Sequence, residues 1–213
     1  MSGARMAKKW DRPAAGERYA RERFRSVRAA RRDPELALRL LREHAAGQAG
    51  RPLLDAPCGS GRLSAALGSL GAPVVGLDAS PSMLEAARAG GSSLVRASIE
   101  RLPFADASFE AVVCCRLLHH LRGEELERVV GELVRVSARI VVASFWDAGS
   151  LPAWRVRLGL KREEGPAGRA SISRERIAGI FADAGAPVIA FRPLLRFVSA
   201  QTFLVARRRE ARE

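Results

Sequence analysis

The stretch "LLDAPCGSGRLSAAL", residues 53–67, joins an apolar strand to a carboxylate, a glycine-rich turn and an amphipathic helix. Asp55 ends the strand, and Gly59 and Gly61 allow a ligand to approach the backbone because they carry no Cβ. The first turn of the following helix would offer free N–H groups to an anionic part of that ligand. The stretch therefore predicts a binding site at the end of a strand in an α/β unit.

Beyond Arg51, short apolar runs alternate with amphipathic segments. We predict strands near 52–56, 73–77, 93–97, 109–115, 139–145, 187–195 and 200–206. We predict helices near 61–70, 81–90, 122–136 and 173–185. This alternation predicts a doubly wound α/β fold with a mostly parallel sheet, and the short link before the final strand favours an antiparallel pair there.

Two flanking segments have their own patterns. Before the sheet, Asp33 is predicted as the N-cap of a helix that has Pro34 in its first turn and ends at Gly47. After the fifth strand, residues 147–171 are rich in Gly, Pro and Arg and are predicted as a loop that is long enough to act as a lid.

A second carboxylate, Asp78, follows the second strand in "APVVGLDASPSMLEAAR". It lies about twenty residues beyond the glycine turn, where folds of this type bind a ribose diol. The alternative is that Asp78 caps the next helix, but Ser80 already fills that position.

Two phosphate-binding patterns fit poorly. A dinucleotide site needs G-x-G-x-x-G, whereas Ser64 stands where the third glycine is required. A P-loop needs a Gly-Lys-Ser/Thr ending, which the turn lacks. The residues favour a ligand that carries a positive charge and no phosphate.

Four blocks together resemble class I S-adenosylmethionine-dependent methyltransferases, especially the subgroup that methylates small molecules and quinones. They are "LLDAPCGSGRL", "VVGLDASPSMLEAAR", "ASIERLPFADASFEAVVCCRLLHHL" and "GAPVIAFRPLLRFVSAQTFLVARR". The resemblance spans residues 35–207. It implies S-adenosyl-L-methionine as cofactor and a Rossmann-like seven-stranded sheet, mostly parallel with the last strand antiparallel, preceded by N-terminal helices.

The resemblance also implies which residues bind the cofactor. Asp55 and the turn would hold the methionine moiety, Asp78 the ribose hydroxyls, and the residues after the second, third and fourth strands the adenine and the sulfonium. The implied set is Asp55, Ala56, Pro57, Gly59, Gly61, Asp78, Ala79, Met83, Ser98, Ile99 and Leu117. Pro57 replaces a usual glycine and Ser98 an aspartate that often accepts from the adenine amino group.

The catalytic candidates are His119 and Arg116, which follow the fourth strand. His119 or its neighbour His120 could accept a proton from the methyl acceptor, and Arg116 could hold an anionic acceptor. The alternative is that the histidine pair caps the turn and shapes the pocket. No metal site is predicted, because the three cysteines have no zinc-ligand spacing.

The resemblance divides the chain into three parts. Residues 1–33 are predicted as a basic arm, helical or partly disordered, residues 34–207 as the methyltransferase domain with its lid-like loop 147–171, and residues 208–213 as a charged tail. Neither a secretory signal nor a stretch of about 18 apolar residues is visible, so a cytoplasmic protein without a transmembrane segment is expected.

The net charge of +13 lies in the two flanks, outside residues 51–150. This excess could attract RNA, an anionic membrane surface or an acidic substrate. A coding bias towards arginine would produce the same excess without any partner. The favoured function is methyl transfer to a small-molecule acceptor of apolar or quinone-like character. The alternatives are an RNA methyltransferase that uses the basic flanks, which is less favoured because no RNA-binding module is recognised, and a non-catalytic cofactor-binding interaction protein. The oligomeric state and the acceptor atom are not predicted.

Overall fold

The structure is a computed structural model, which describes residues 27–45, 51–159, 170–195 and 199–209. The strands in these residues are β1 (Leu53–Asp55), β2 (Val74–Asp78), β3 (Ser93–Arg96), β4 (Phe109–Cys114), β5 (Ser137–Trp146), β6 (Val188–Pro193) and β7 (Gln201–Arg207). The α-helices are α1 (Val27–His44), α2 (Arg62–Leu67), α3 (Pro81–Ala87), α4 (Gly123–Val136), α5 (Leu151–Arg157) and α6 (Arg174–Asp183).

Within the described residues the seven strands form one sheet in the order β3-β2-β1-β4-β5-β7-β6. Strands β1 to β5 pair in parallel, and β7 is antiparallel to both β5 and β6. The predicted α/β fold with an antiparallel last strand is therefore confirmed. The strand order reverses at β1, so the crevice beyond β1 is where such a sheet binds ligands.

Apolar side chains cover both faces of the sheet, as the sequence predicts. On one face, α1 and α2 pack through Leu40 and Leu67 onto Val113 and Val142. On the other face, α4 and α6 contribute a larger cluster, which includes Leu126, Val129, Leu133, Ile177 and Phe181. Burial on both faces explains why β4 is an uninterrupted buried strand.

Helix α1 begins earlier than the sequence predicts. It spans Val27–His44 with Pro34 inside it, so the prediction that Asp33 is the N-cap is wrong. Pro34 lacks an N–H and cannot bond the carbonyl four residues earlier. The carboxylate of Asp33 instead accepts hydrogen bonds from Arg116 and Gln201, which attach α1 to the sheet. The predicted end at Gly47 lies outside the described residues.

The segment after β5 contains a helix where the sequence predicts a loop. In α5 the hydroxyl of Ser150 accepts from the N–H of Ala153, and Pro152 occupies the first turn, which are ordinary start signals. Because the segment is rich in Gly, Pro and Arg, its sequence predicts a loop and not this short helix. Residues 160–169 of the predicted lid lie outside the described residues.

The ends of the predicted domain contact the rest of the fold. Helix α1 runs across the predicted boundary at residue 33, and residues 1–26 lie outside the described part of the chain. The guanidinium of Arg208, in the predicted tail, donates to the carbonyl oxygens of Arg135 and Ser137. Over the described ranges, none of the helices has the length and apolar content needed to cross a membrane.

Candidate functional site

A cleft opens beyond the carboxyl ends of β1, β2 and β4, where the strand order reverses. Most of the predicted site residues line it. They are Asp55, Pro57, Gly59, Asp78, Ala79, Met83, Ser98, Ile99, Arg116 and Leu117. Three other predicted residues, Ala56, Gly61 and His119, do not line the cleft.

The glycine turn is fixed to the strands on both sides. Ala56 donates its N–H to the carbonyl of Val113, and Cys58 donates to that of Leu77. At Gly61 the backbone has a φ of +75°, and a Cβ there would lie 2.9 Å from Cβ of Ala87. Gly61 therefore lets α3 pack close behind the turn, while Gly59 faces the open cleft.

Asp55 is a buried carboxylate with one oxygen bonded and one not. The hydroxyl of Ser64 donates to Oδ2 at 2.6 Å, and Oδ1 has no hydrogen-bond partner among the described residues. Burial raises the pKa of Asp55 from 3.8 to about 7. An unpaired buried carboxylate oxygen is unfavourable, so a cationic N–H donor in the cleft would stabilise this group.

Asp78 orients two backbone segments at the cleft. Its Oδ2 accepts from the N–H of Gly59 at 3.0 Å, and its Oδ1 accepts from the N–H of Ser80 at 2.9 Å. The N-cap of α3 is Ser80, whose hydroxyl accepts from the N–H of Met83. A carboxylate oxygen can accept more than one hydrogen bond, so Asp78 can still receive the hydroxyls of a diol.

Four polar residues form a network at one end of the cleft. The guanidinium of Arg116 donates to Asp33, and its backbone N–H donates to the hydroxyl of Ser144 at 2.8 Å. The amide of Gln201 donates to Asp33 and to Ser144. Arg116 has a φ of +59°, an uncommon conformation that its backbone and side-chain bonds hold together. The network joins α1 to β5, β7 and the segment after β4.

The two adjacent histidines have different surroundings. His119 is buried, and its ring stacks on Trp146 with a centroid distance of 4.8 Å and an interplanar angle of 9°. His120 lines the cleft, with its ring centroid 4.3 Å from that of His119. The structure therefore places His120, rather than His119, where it can contact a bound molecule.

Several residues of the cleft wall were not predicted. They are Asp33, Pro34, Cys58, Ser60, Arg62, Leu63, Leu77, Ser80, Ala97, Glu100, Cys115 and Leu121, whereas the sequence predicts His120, beside His119, as a candidate proton acceptor. Ser60 lies in the glycine turn and Arg62 begins α2 directly after it, so their position in the sequence is a usable signal. Asp33 and Pro34 reach the cleft only through the packing of α1. Burial raises the pKa of the Cys58 thiol, which keeps it protonated.

Comparisons with known proteins agree with this geometry. Residues 54–139 match the model of a methyltransferase domain family. An uncharacterized methyltransferase of Synechocystis sp. is 34% identical over 96 residues, which is 44% of this chain and 45% of the relative. A demethylmenaquinone methyltransferase of Clavibacter sepedonicus is 40% identical over 105 residues, which is 46% of this chain and 42% of the relative. The chain thus spans less than half the length of these curated relatives.

Similarity to solved structures extends over nearly the whole fold. Magnesium protoporphyrin IX methyltransferase from Synechocystis PCC 6803, crystallised with bound S-adenosylmethionine, matches with a TM-score of 0.73 at 17% identity, covering 97% of each chain. At this identity the likeness establishes the fold. Residues 54–139 therefore resemble a methyltransferase domain, and the chain has the fold of the class I S-adenosylmethionine-dependent methyltransferases.

Proposed function

We propose that the protein transfers a methyl group from S-adenosylmethionine to a small-molecule acceptor. Domains of the matching family bind this cofactor. The observation that carries the proposal is the unpaired buried oxygen of Asp55, at the same cleft as Asp78 and the turn at Gly59. The cleft thus offers a carboxylate for an ammonium group and a second one for a ribose.

The residues of the cleft fit the cofactor in the order that the resemblance implies. Asp55 and the backbone from Ala56 to Gly61 hold the methionine moiety, and Asp78 accepts from the ribose hydroxyls. The adenine lies against the side chains that follow β2 and β3, with the sulfonium beside the residues that follow β4. Those side chains are Ala79, Met83, Ser98, Ile99, Arg116 and Leu117, all of which line the cleft.

The fit is supported by the open space at Gly59. A Cβ at this position would meet no atom within 4 Å, and the residue faces the cleft. Its N–H is already bound to Asp78, so a ligand on this backbone and a ligand on that carboxylate would be held by one connected unit. We therefore infer that the turn and Asp78 bind adjacent parts of the same molecule.

When bound, the cofactor supplies a methyl group that is activated by its attachment to a sulfonium. The protein has to align the acceptor and exclude water, because an in-line displacement requires the reacting atoms near van der Waals contact. Both His120 and Arg116 line the cleft, and we infer that His120 holds or accepts an acceptor proton and that Arg116 orients an acceptor oxygen. The ring of His119, which the sequence predicts for the proton-accepting role, lies against the ring of His120.

The acceptor is proposed to be an apolar or quinone-like small molecule. Pro34, Leu117 and Leu121 give the cleft an apolar wall near the network of Asp33 and Arg116. A flat ring with a few oxygens would place its ring on this wall and its oxygens near the polar network. One relative is named a demethylmenaquinone methyltransferase, which agrees with such an acceptor.

We propose that residues 34–207 carry this activity as one domain, with residues 1–33 and 208–213 as flanking segments. The described parts of the range form one sheet with a hydrophobic core on each face. Under this proposal the basic flanks are not required for cofactor binding.

The proposal is tested by following labelled methyl groups from S-adenosylmethionine into a panel of quinols, phenols and carboxylic acids, with RNA as a separate arm. Turnover on a small molecule that is lost in Asp78→Ala, and kept in the matched surface variant Asp183→Ala, supports it. Turnover on RNA alone would favour the nucleic-acid function. Cofactor binding without turnover in any arm would favour a non-catalytic binding protein.

A further inference from the structure

Helix α5 presents apolar side chains to solvent. Leu151 is 43% exposed, Trp154 56% and Leu158 58%. Among the described residues, these are three of the four large hydrophobic side chains that are exposed, and the fourth, Ile189, lies on β6. Exposed apolar residues scattered singly need no explanation, but a cluster on one short helix does.

The three side chains share one face of α5, which we call the Trp154 face. Because a helix turns 100° per residue, Leu151, Trp154 and the C-cap residue Leu158 lie within about 60° of one another around the axis. The opposite side is formed by Pro152, Ala153 and Val156, which are partly buried. Helix α5 is thus apolar towards the protein and also apolar towards solvent.

Arginines flank the Trp154 face on both sides. Arg155 lies about 40° beyond Leu151, and Arg157 about 60° beyond Trp154 on the other side. Both are exposed, and the sequence from Gly149 to Gly159 contains no acidic residue. Helices that lie at the surface of an anionic membrane have this composition, with a tryptophan and leucines between arginines.

We propose that the Trp154 face docks the protein reversibly on an anionic phospholipid bilayer. Trp154 and the leucines would enter the interface between headgroups and acyl chains, while Arg155 and Arg157 contact lipid phosphates. A second copy of this chain is a poorer occupant, because it would bring the same positive charge to the same face. The net charge of +13 strengthens the attraction to an anionic surface.

The position of α5 gives the docking a consequence for the cleft. Helix α5 follows β5, which is parallel to β4 as β4 is to β1, so it begins at the carboxyl end of the sheet, on the same side as the cleft. Docking there would bring the cleft towards the lipid. If the acceptor is apolar, a point that rests on the proposed function, it would enter from the bilayer without crossing water.

The test is sedimentation with vesicles of equimolar phosphatidylglycerol and phosphatidylcholine, compared with pure phosphatidylcholine, using the full chain. We expect binding to the anionic vesicles only, with a partition coefficient that falls about tenfold or more in Trp154→Ala/Leu158→Ala. The matched control is Ile189→Ala, which removes an apolar side chain that is 44% exposed on β6 and is expected to bind as the wild type does. Brominated lipids should quench the fluorescence of the wild type more than that of Trp154→Phe.

Three results would overturn the proposal. The first is an absence of binding to anionic vesicles at low salt, and the second is binding that the double variant does not weaken, since other basic residues would then be responsible. The third is a wild-type oligomer that the double variant converts to a monomer, since the Trp154 face would then be an interface between copies. Binding of S-adenosylhomocysteine, measured in the same variants, is expected to be unchanged, which separates this proposal from the cofactor site.

Discussion

The backbone N–H of Gly59 donates to Oδ2 of Asp78 over 3.0 Å, joining the turn after β1 to the carboxylate at the end of β2. The two residues are 19 positions apart and belong to the two motifs that the sequence first singles out. The bond orients the carboxylate before any ligand binds, so less ordering is needed on binding. It also makes the glycine turn and the second strand one binding unit.

Close packing behind the turn predicts a large effect for Gly61→Ala. The added Cβ would lie 2.9 Å from Cβ of Ala87, in a backbone conformation with a φ of +75°. We expect the free energy of unfolding to fall by about 2–3 kcal/mol. Gly131→Ala in α4 is the matched control, since a Cβ there meets nothing within 4 Å and should raise the free energy of unfolding by about 0.5–1 kcal/mol.

Urea unfolding of both variants measures these changes. Equal stability of Gly61→Ala and wild type would show that α3 does not pack against the turn as described.

The raised pKa of Asp55, about 7, predicts that cofactor binding depends on pH. A ligand ammonium requires the ionised carboxylate, so affinity for S-adenosylhomocysteine should fall as the pH decreases from about 8 to 6, by up to about tenfold per unit. Asp55→Asn should bind weakly with little dependence over this range. Titration calorimetry at several pH values measures the affinity of the wild type and of Asp55→Asn. The variant His120→Asn is titrated in the same way, because the His120 ring also lines the cleft.

The raised pKa of Asp55 also predicts that the stability of the ligand-free protein depends on pH. Ligand binding needs the ionised carboxylate, whereas stability is favoured by the protonated form. The folded protein holds the Asp55 proton more tightly than the unfolded chain, whose value is 3.8. This contribution favours folding below about pH 4 and is lost as the pH rises through 7. The stability of the ligand-free wild type relative to Asp55→Asn should therefore decrease over that interval. A difference that does not change with pH would contradict the burial of Asp55.

The hydrogen bonds of Arg135 predict that this side chain stabilises the segment after β3. Its guanidinium donates to the carbonyls of Leu102 and Phe104 and to the carboxylates of Asp106 and Glu132. Arg135→Met should lower the free energy of unfolding by about 2 kcal/mol. Hydrogen exchange should show faster opening of residues 102–108.

The matched control is Arg128→Met, which removes one ion pair with Glu100 at 3.3 Å and should cost less than about 1 kcal/mol. If the two variants lost the same stability, the bonds of Arg135 would not be what holds the segment.

Substitutions of the two adjacent histidines are predicted to differ, with His119 affecting stability and His120 affecting activity. His119→Ala removes a buried ring that stacks on Trp146 and should lower the free energy of unfolding by about 2 kcal/mol. His120→Ala, on the cleft wall, should change stability by less than about 1 kcal/mol and reduce kcat/KM for the acceptor. Thermal unfolding and a turnover assay separate the two, and the reverse pattern would place His119 in contact with the acceptor.

The sequence is sufficient to predict the sheet and most of the cleft. Apolar runs bounded by glycines, and carboxylates at strand ends, are local signals, and they identify β1, Asp55, β2 and Asp78. The start of α1 was missed because Pro34 looks like a first-turn residue, whereas the tertiary contact of Asp33 with Arg116, 83 residues away, holds it inside a longer helix. The different positions of His119 and His120 depend on which way a single turn faces, which no periodic pattern specifies.

The central claim is that Asp78 and the turn at Gly59 form a site for S-adenosylmethionine. Its most direct test is calorimetric titration of the demethylated product, S-adenosylhomocysteine, into the wild type, Asp78→Ala and the surface variant Asp183→Ala. We predict micromolar binding by the wild type and Asp183→Ala, and a loss of about 100-fold or more in Asp78→Ala, because the ribose loses its charged acceptor. Equal affinity of Asp78→Ala and wild type, or no binding by a folded wild type, would contradict the account.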